Sequence, residues 1–221
     1  MRGRFITFEG GEGGGKSTQA ALLAQHLRAT GIGVLVTREP GGSPGAEIIR
    51  HVILSGAAKP LGADAETILF AAARDDHIRM TIEPALSAGT WVICDRFLDS
   101  TRVYQGLLGH VDRKLIRALE RVVVGSLMPD LTFVMDVPAE VGLERAAGRR
   151  GNDNADRFES ETIDFHEKLR RAFAALAKVD ADRCVLIDAA QPREMIHDTI
   201  WKVVAERFGL AARIKVGAGG R

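Results

Sequence analysis

Phe5-Ile-Thr-Phe-Glu-Gly-Gly-Glu-Gly-Gly-Gly-Lys-Ser-Thr18 is the stretch that decides the fold. Gly10, Gly15, Lys16 and Ser17 stand at the G-x-x-x-x-G-K-[ST] spacing of a phosphate-binding loop. The chemistry needs these residue types. Glycines let successive backbone N–H groups turn inward onto phosphate oxygens, and the helix that follows directs its positive end at the same point. Lys16 supplies a point charge to the terminal phosphates, and the Ser17 hydroxyl supplies a Mg²⁺ ligand. The whole loop Gly10, Gly11, Glu12, Gly13, Gly14, Gly15 with Lys16, Ser17 and Thr18 is therefore expected to hold a nucleotide triphosphate. The flanks agree. Arg4 to Glu9 is a short apolar run rich in β-branched and aromatic residues, which predicts a strand. Ser17 to Ala29 carries Ala21, Leu22, Ala24 and Leu27 on a helical period.

Working outward, apolar runs at Val34–Thr37, Thr90–Cys94, Leu131–Val137 and Cys184–Ile187 predict four more strands. Between them the pattern predicts helices at Ala46–Leu54, Ala63–Leu86, Asp112–Gly125, Ala139–Ala147, Glu161–Lys178 and Pro192–Phe208. Short strands alternating with helices specify a five-stranded parallel sheet covered on both faces, a three-layer α/β sandwich of the P-loop NTPase type. No linker divides the chain, so residues 1–213 are expected to form one domain, with 214–221 a disordered tail. Gly148 to Ala155 is rich in Gly and Asn and is expected to be a mobile loop, with a lid over about 148–157.

Composition narrows the function. The net charge is +1, which gives no bulk basic surface for nucleic acid. The two cysteines, Cys94 and Cys184, sit in separate apolar runs and read as buried hydrophobes. No Cys/His spacing matches a zinc site, and no apolar run approaches a membrane span. The start has no signal-peptide pattern, so a cytoplasmic enzyme is expected. The six histidines show no ligand or triad spacing and receive no catalytic role.

In parallel α/β sheets, ligands sit beyond the carboxyl ends of the strands. Asp95 follows the strand ending at Cys94 and is the preferred second Mg²⁺ residue, ahead of Asp136. Arg38, Arg74 and Arg96 lie at or near loops and suit bidentate phosphate contact. Arg145, Arg149, Arg150 and Arg157 surround the Gly/Asn segment, as expected of a basic lid that closes over phosphates.

These pieces together resemble the thymidylate kinases of bacteria. The resemblance rests on Phe8–Thr18, Thr37-Arg-Glu-Pro-Gly-Gly42, Leu69-Phe-Ala-Ala-Ala-Arg74, Asp95-Arg-Phe-Leu-Asp-Ser100 with Tyr104-Gln-Gly106, and Asp156-Arg-Phe-Glu159. It implies transfer of a phosphoryl group from MgATP to dTMP. By the same resemblance, Phe70 stacks on thymine and Arg74 bonds a thymine carbonyl. Arg38 and Arg96 hold the dTMP phosphate. Ser100 and Thr101 border the base, Tyr104 and Gln105 line the sugar and base pocket, and Glu12 faces the acceptor sugar and metal region. Gly13 stands where the eukaryotic type carries an arginine, which implies that the lid supplies the catalytic arginine, Arg149 or Arg150. Val103 departs from the alanine frequent in the family. The family forms homodimers, and the Ala-rich stretch 63–86 is a candidate contact. Two rival readings are a P-loop kinase for another nucleoside or monophosphate, and a GTP-dependent switch. The switch would need [NT]-K-x-D, whereas the nearest match, Ala177-Lys-Val-Asp180, lacks the first residue.

Overall fold

The computed structural model describes residues 2–150, 158 and 160–210. Strands β1 (Phe5–Gly10), β2 (Val34–Arg38), β3 (Trp91–Asp95), β4 (Leu131–Asp136) and β5 (Cys184–Asp188) form one sheet in the order β2-β3-β1-β4-β5. Every pairing is parallel. β1 is central, and its C-terminal end opens directly into the phosphate-loop sequence. The neighbouring strands β3 and β4 end beside it, with Phe8 opposite Asp95 and Gly10 opposite Met135.

Burial on both faces explains why β1 reads as a continuous apolar run rather than an alternating one. Ile6 and Phe8 face the core beneath α1 (Lys16–Ala29) and α9 (Arg193–Arg207), together with Leu23, Leu27, Phe133, Ile200 and Val204. Phe5 faces the opposite core with Val92, Ile82, Leu86 and Phe97. Phe5 and Phe97 meet edge to face at 4.9 Å. Beyond β4, helix α8 (Ile163–Val179) packs Leu169 and Phe173 against Val134 and Val103.

The helix expected over 63–86 is a continuous path with a defect. Helix α3 (Ala63–His77) passes through a π-helical turn, Ile78–Ile82, into α4 (Glu83–Ser87). Pro84 lacks the N–H that a regular turn would use there, so the winding loosens just ahead of it. Helix α2 (Pro44–Leu54) starts two residues before the apolar pattern does, on a proline suited to a first turn.

One expectation needs correction. Gly148 does not open a loop: α7 runs Ala139–Arg150. One glycine costs about 1 kcal/mol relative to alanine, and the surrounding Ala, Glu, Leu and Arg outweigh it. Residues 151–157, the rest of the expected lid, and the tail from 211 lie outside the described residues. The segment after β3, which carries no helical signal, forms α5 (Leu98–Thr101) and a π-helical stretch, Arg102–Leu108, before α6 (Arg113–Val123). Thr101, Val103 and Gly106 are poor helix formers, so packing of Leu98 and Val103 holds the segment.

A buried polar network ties this segment to the sheet. Asp99 is fully buried and receives Arg183 at 2.7 and 3.0 Å and Arg102 at 3.1 Å. Arg183 also donates to the Thr132 hydroxyl, which lies 2.6 Å from that of Thr7. Removing one partner of a buried pair strands the other charge. Arg183→Met should therefore lower unfolding free energy by about 3 kcal/mol, the low end for such a loss because Arg102 remains on Asp99. Urea denaturation checks this, and a loss near zero would contradict it.

Candidate active site

One cleft of about 280 Å³ opens above the C-terminal ends of β1, β2 and β3. The loop residues Glu12 to Ser17 line one part of it. Arg38, Phe70, Arg74, Arg96, Ser100, Thr101, Tyr104 and Gln105 line the rest, with Asp95 between and Arg149 at the rim. The residues singled out from sequence thus converge, although they come from different strand ends. Gly10 lies below, in β1, and Gly11 lines a small adjacent cavity. Thr18 is in α1. Arg145 donates to the carbonyls of Ala189 and Ala190, just past β5, at 2.7 and 3.5 Å. Arg150 ends α7, but its side chain and all of Arg157 lie outside what is described.

The phosphate loop is shaped by close backbone contact. Gly13 has φ 65°, and a Cβ there would lie 1.8 Å from the carbonyl oxygen of Gly142 in α7. No side chain fits at that position in this frame. An arginine at position 13 is therefore sterically excluded, while α7, the element that blocks it, carries Arg145 and Arg149 itself.

Positive charge is concentrated and held in place by carboxylates. The Lys16 ammonium is buried and donates to the Gly11 carbonyl at 2.6 Å. Burial pushes its pKa down and Arg96 adds to the push, with Glu12, Asp95 and Glu9 opposing. Arg96 has a left-handed backbone, φ 69°, uncommon for a residue with a side chain. That turn aims its guanidinium back across β1, where it donates to Gly10 at 3.0 Å, to the Ser100 hydroxyl at 3.3 Å and to Glu12. It also stacks over the Tyr104 ring at 5.2 Å. Burial would lower its basicity, but Glu12 foremost holds it protonated. Burial likewise pushes Glu12 up, yet Arg96, Lys16, the Tyr104 hydroxyl and His166 outweigh it and hold the acid at about 2. The Tyr104 hydroxyl donates to Glu12 at 3.1 Å. Its ring meets Phe158, at the far side of the expected lid, edge to face at 5.3 Å.

The deeper part of the cleft is built around Arg74. Glu39 receives the Arg74 Nε at 2.7 Å and His77 Nδ1 lies 3.1 Å from the same carboxylate. Thr101 and the Phe97 carbonyl accept from the other two nitrogens. His77 is fully buried and its second nitrogen meets Thr37 at 2.7 Å. At the mouth, Arg38 is half exposed and held by Glu47 at 3.0 Å.

Ser17 donates to Asp95, so a hydroxyl and a carboxylate meet at the start of α1. Hard oxygen donors of this kind suit Mg²⁺. Among the described residues no group of three or more His, Cys, Asp or Glu forms a metal cage. An ion here would take its remaining ligands from phosphate and water. Asp136, the alternative, is occupied by Arg170 at 2.6 and 3.2 Å.

Sequence reasoning missed Glu9, Glu39 and His77, which position the cleft residues. It also placed no two histidines together, whereas His26 Nδ1 and His197 Nε2 lie 3.1 Å apart where α1 meets α9. Neither lines the cleft. Their separation of 171 residues leaves no spacing signal.

The family model for thymidylate kinase matches residues 8–200. The chain belongs to the thymidylate kinase family. It is 61% identical to a thymidylate kinase of Nitrobacter winogradskyi, over 94% of this chain and 90% of that one. Identity to a thymidylate kinase of Bradyrhizobium sp. is 59%, over 94% and 92%. Among solved structures, thymidylate kinase from Ehrlichia chaffeensis superimposes with a TM-score of 0.73 at 33% identity, covering 92% of this chain and 99% of that one. The architecture is accordingly the P-loop NTPase fold of that family, with five parallel strands between helical layers.

The Glu12 pairing has a measurable pH signature. Its folded pKa lies near 2, below the unfolded value of 4.5. An acid depressed in this way stabilises the fold above pH 4.5 and loses that contribution as pH falls toward 2. Glu12→Gln should therefore be less stable than wild type at pH 7, and the gap should narrow between pH 4.5 and 2. Thermal unfolding of both proteins across that range tests it. A gap independent of pH would contradict the pairing.

Proposed function

We infer that the chain phosphorylates dTMP to dTDP with MgATP, by direct in-line transfer. The observation that carries this reading is the single cleft in which a phosphate loop and an arginine-lined pocket meet at Arg96. ATP is assigned to Gly10–Thr18 with Arg145, and dTMP to the part bounded by Phe70, Arg74, Tyr104 and Gln105. The acceptor is a phosphate oxygen of dTMP, already ionised at pH 7, so no base is required. A bond forms between that oxygen and the γ-phosphorus as the bond to the bridging oxygen breaks, and ADP departs with the electron pair. The protein's task is alignment and neutralisation of the charge gathered there. Lys16 meets the transferred group and Arg96 and Arg38 meet the dTMP phosphate. Arg149, at the cleft rim on α7, is the arginine assigned to the transferring phosphoryl group. Mg²⁺, when bound by Ser17 and Asp95, supplies further neutralisation of the triphosphate.

Thymine specificity is assigned to Phe70 for stacking and to Arg74, whose fixed donor fork suits a carbonyl oxygen. The Glu39 and Thr101 contacts leave that fork a single orientation. The same reading includes a homodimer in the cytoplasm. Ile48, Ile68 and Met80 are 71%, 48% and 62% exposed on α2, α3 and the π-helical turn, apolar side chains open to a second copy. No helix among the described residues is long and apolar enough to cross a membrane.

ADP formation measured with MgATP and a panel of dTMP, dCMP, AMP and GMP tests the substrate. dTMP should give the highest kcat/KM, and better turnover of a purine monophosphate would overturn the reading. Phe70→Ala should raise the dTMP KM by a factor corresponding to about 1–3 kcal/mol of lost stacking. An unchanged KM would remove Phe70 from the base site.

A further inference from the structure

Glu9 is a buried carboxylate beneath the cleft that the phosphate-transfer chemistry does not use. It is the last but one residue of β1, has no exposed surface, and makes no ion pair within 4 Å among the described residues. Burying a carboxylate away from water is costly unless hydrogen bonds compensate it. Its bonds all go to one place, the turn after β3. Oε1 accepts from the Phe97 N–H at 2.8 Å and from the Ser100 N–H at 3.3 Å, and Oε2 accepts from the Ser100 hydroxyl at 2.6 Å.

That turn contains Arg96, whose left-handed backbone is flanked on both sides by bonds to β1. Its own N–H donates to the Phe8 carbonyl at 2.8 Å, and the next N–H, of Phe97, donates to Glu9. The side chain is linked in the same way. Ser100 Oγ accepts from Arg96 and donates its proton to Glu9, so the carboxylate fixes the direction of the hydroxyl that supports the guanidinium. Asp99, a like charge that disfavours ionisation of Glu9, is turned to Arg183 and Arg102, which leaves these N–H groups to Glu9.

We propose that Glu9 is a positioning residue for the phosphate of the acceptor nucleotide, acting through the Arg96 turn and the Ser100 hydroxyl. It touches no substrate. The carboxylate imposes the left-handed turn that points Arg96 across β1, and without it Arg96 relaxes away from the phosphate position. This rests on the assignment of Arg96 to the dTMP phosphate.

Thymidine, which lacks the phosphate, separates this role from a general structural one. Binding of dTMP and of thymidine is measured by titration calorimetry on the full chain, for wild type, Glu9→Gln, Arg96→Ala and the double variant. Glu9→Gln should weaken dTMP about tenfold or more and change thymidine less than twofold. In the Arg96→Ala background it should leave the dTMP-to-thymidine ratio unchanged. Should Glu9→Gln fail to fold, Glu9→Asp, which keeps the carboxyl group but shortens the reach, carries the same expectation in direction. Equal weakening of both ligands, or no change in either, overturns the role of Glu9. A ratio that collapses in Arg96→Ala but stays at the wild-type value in Glu9→Gln overturns the role of Glu9 alone. An unchanged ratio in Arg96→Ala overturns the Arg96 assignment, and the proposal with it.

Discussion

The pairing of Arg96 with Glu12 is the interaction on which the site depends. Two cations, the buried Lys16 and the largely buried Arg96, stand close enough for Arg96 to depress the basicity of Lys16. Left alone they would repel each other and bear an uncompensated desolvation penalty. Glu12, inside the phosphate loop itself, offsets both, and the Tyr104 hydroxyl and Arg96 hold its carboxylate in turn. Charge is thereby arranged for an anionic ligand without the fold collapsing onto it or pushing apart. Glu47 on Arg38 repeats the arrangement at the mouth of the cleft.

Backbone geometry sets where those charges point. The left-handed turn at Arg96 sends a side chain from the end of β3 back over the end of β1. The contact between Gly13 and Gly142 brings α7 against the phosphate loop, closer than any side chain would allow. Helix α7 is thus seated directly on the loop assigned to phosphate, and Arg149 sits about two turns along it from Gly142. Arg74, assigned to the base, is fixed chiefly by Glu39 and Thr101 and meets the Arg96 turn at the Phe97 carbonyl, while Glu39 is held in turn by His77.

Much of this was legible in the sequence, for identifiable reasons. Phosphate binding depends on local backbone shape and on adjacent residues, so Gly10 to Ser17 announced it by spacing. Strand ends were legible because each apolar run stops at a polar residue such as Asp95, and the topology of parallel sheets does the rest. What was hidden depends on residues distant in the chain. Glu9 meets Phe97 and Ser100 across 88 and 91 positions, and Glu39 meets Arg74 across 35. Nothing near Glu9 marks it as different from Glu12, three residues on, although one is a buried brace and the other lines the cleft. The helical segment Leu98–Leu108 was hidden because its propensities oppose the structure that packing imposes. Gly148 misled in the opposite sense, being a breaker that its neighbours override.

Two nucleotides are assigned to one cleft, with their phosphates meeting between Lys16 and Arg96. The most direct measurement is calorimetric binding of a bisubstrate compound, adenosine and thymidine joined through their 5′-oxygens by a polyphosphate chain. With both halves seated at once, it should bind one per chain and at least about 100-fold more tightly than ATP or dTMP alone. An affinity no better than that of the tighter single nucleotide would mean that the two sites do not adjoin, and would contradict the account.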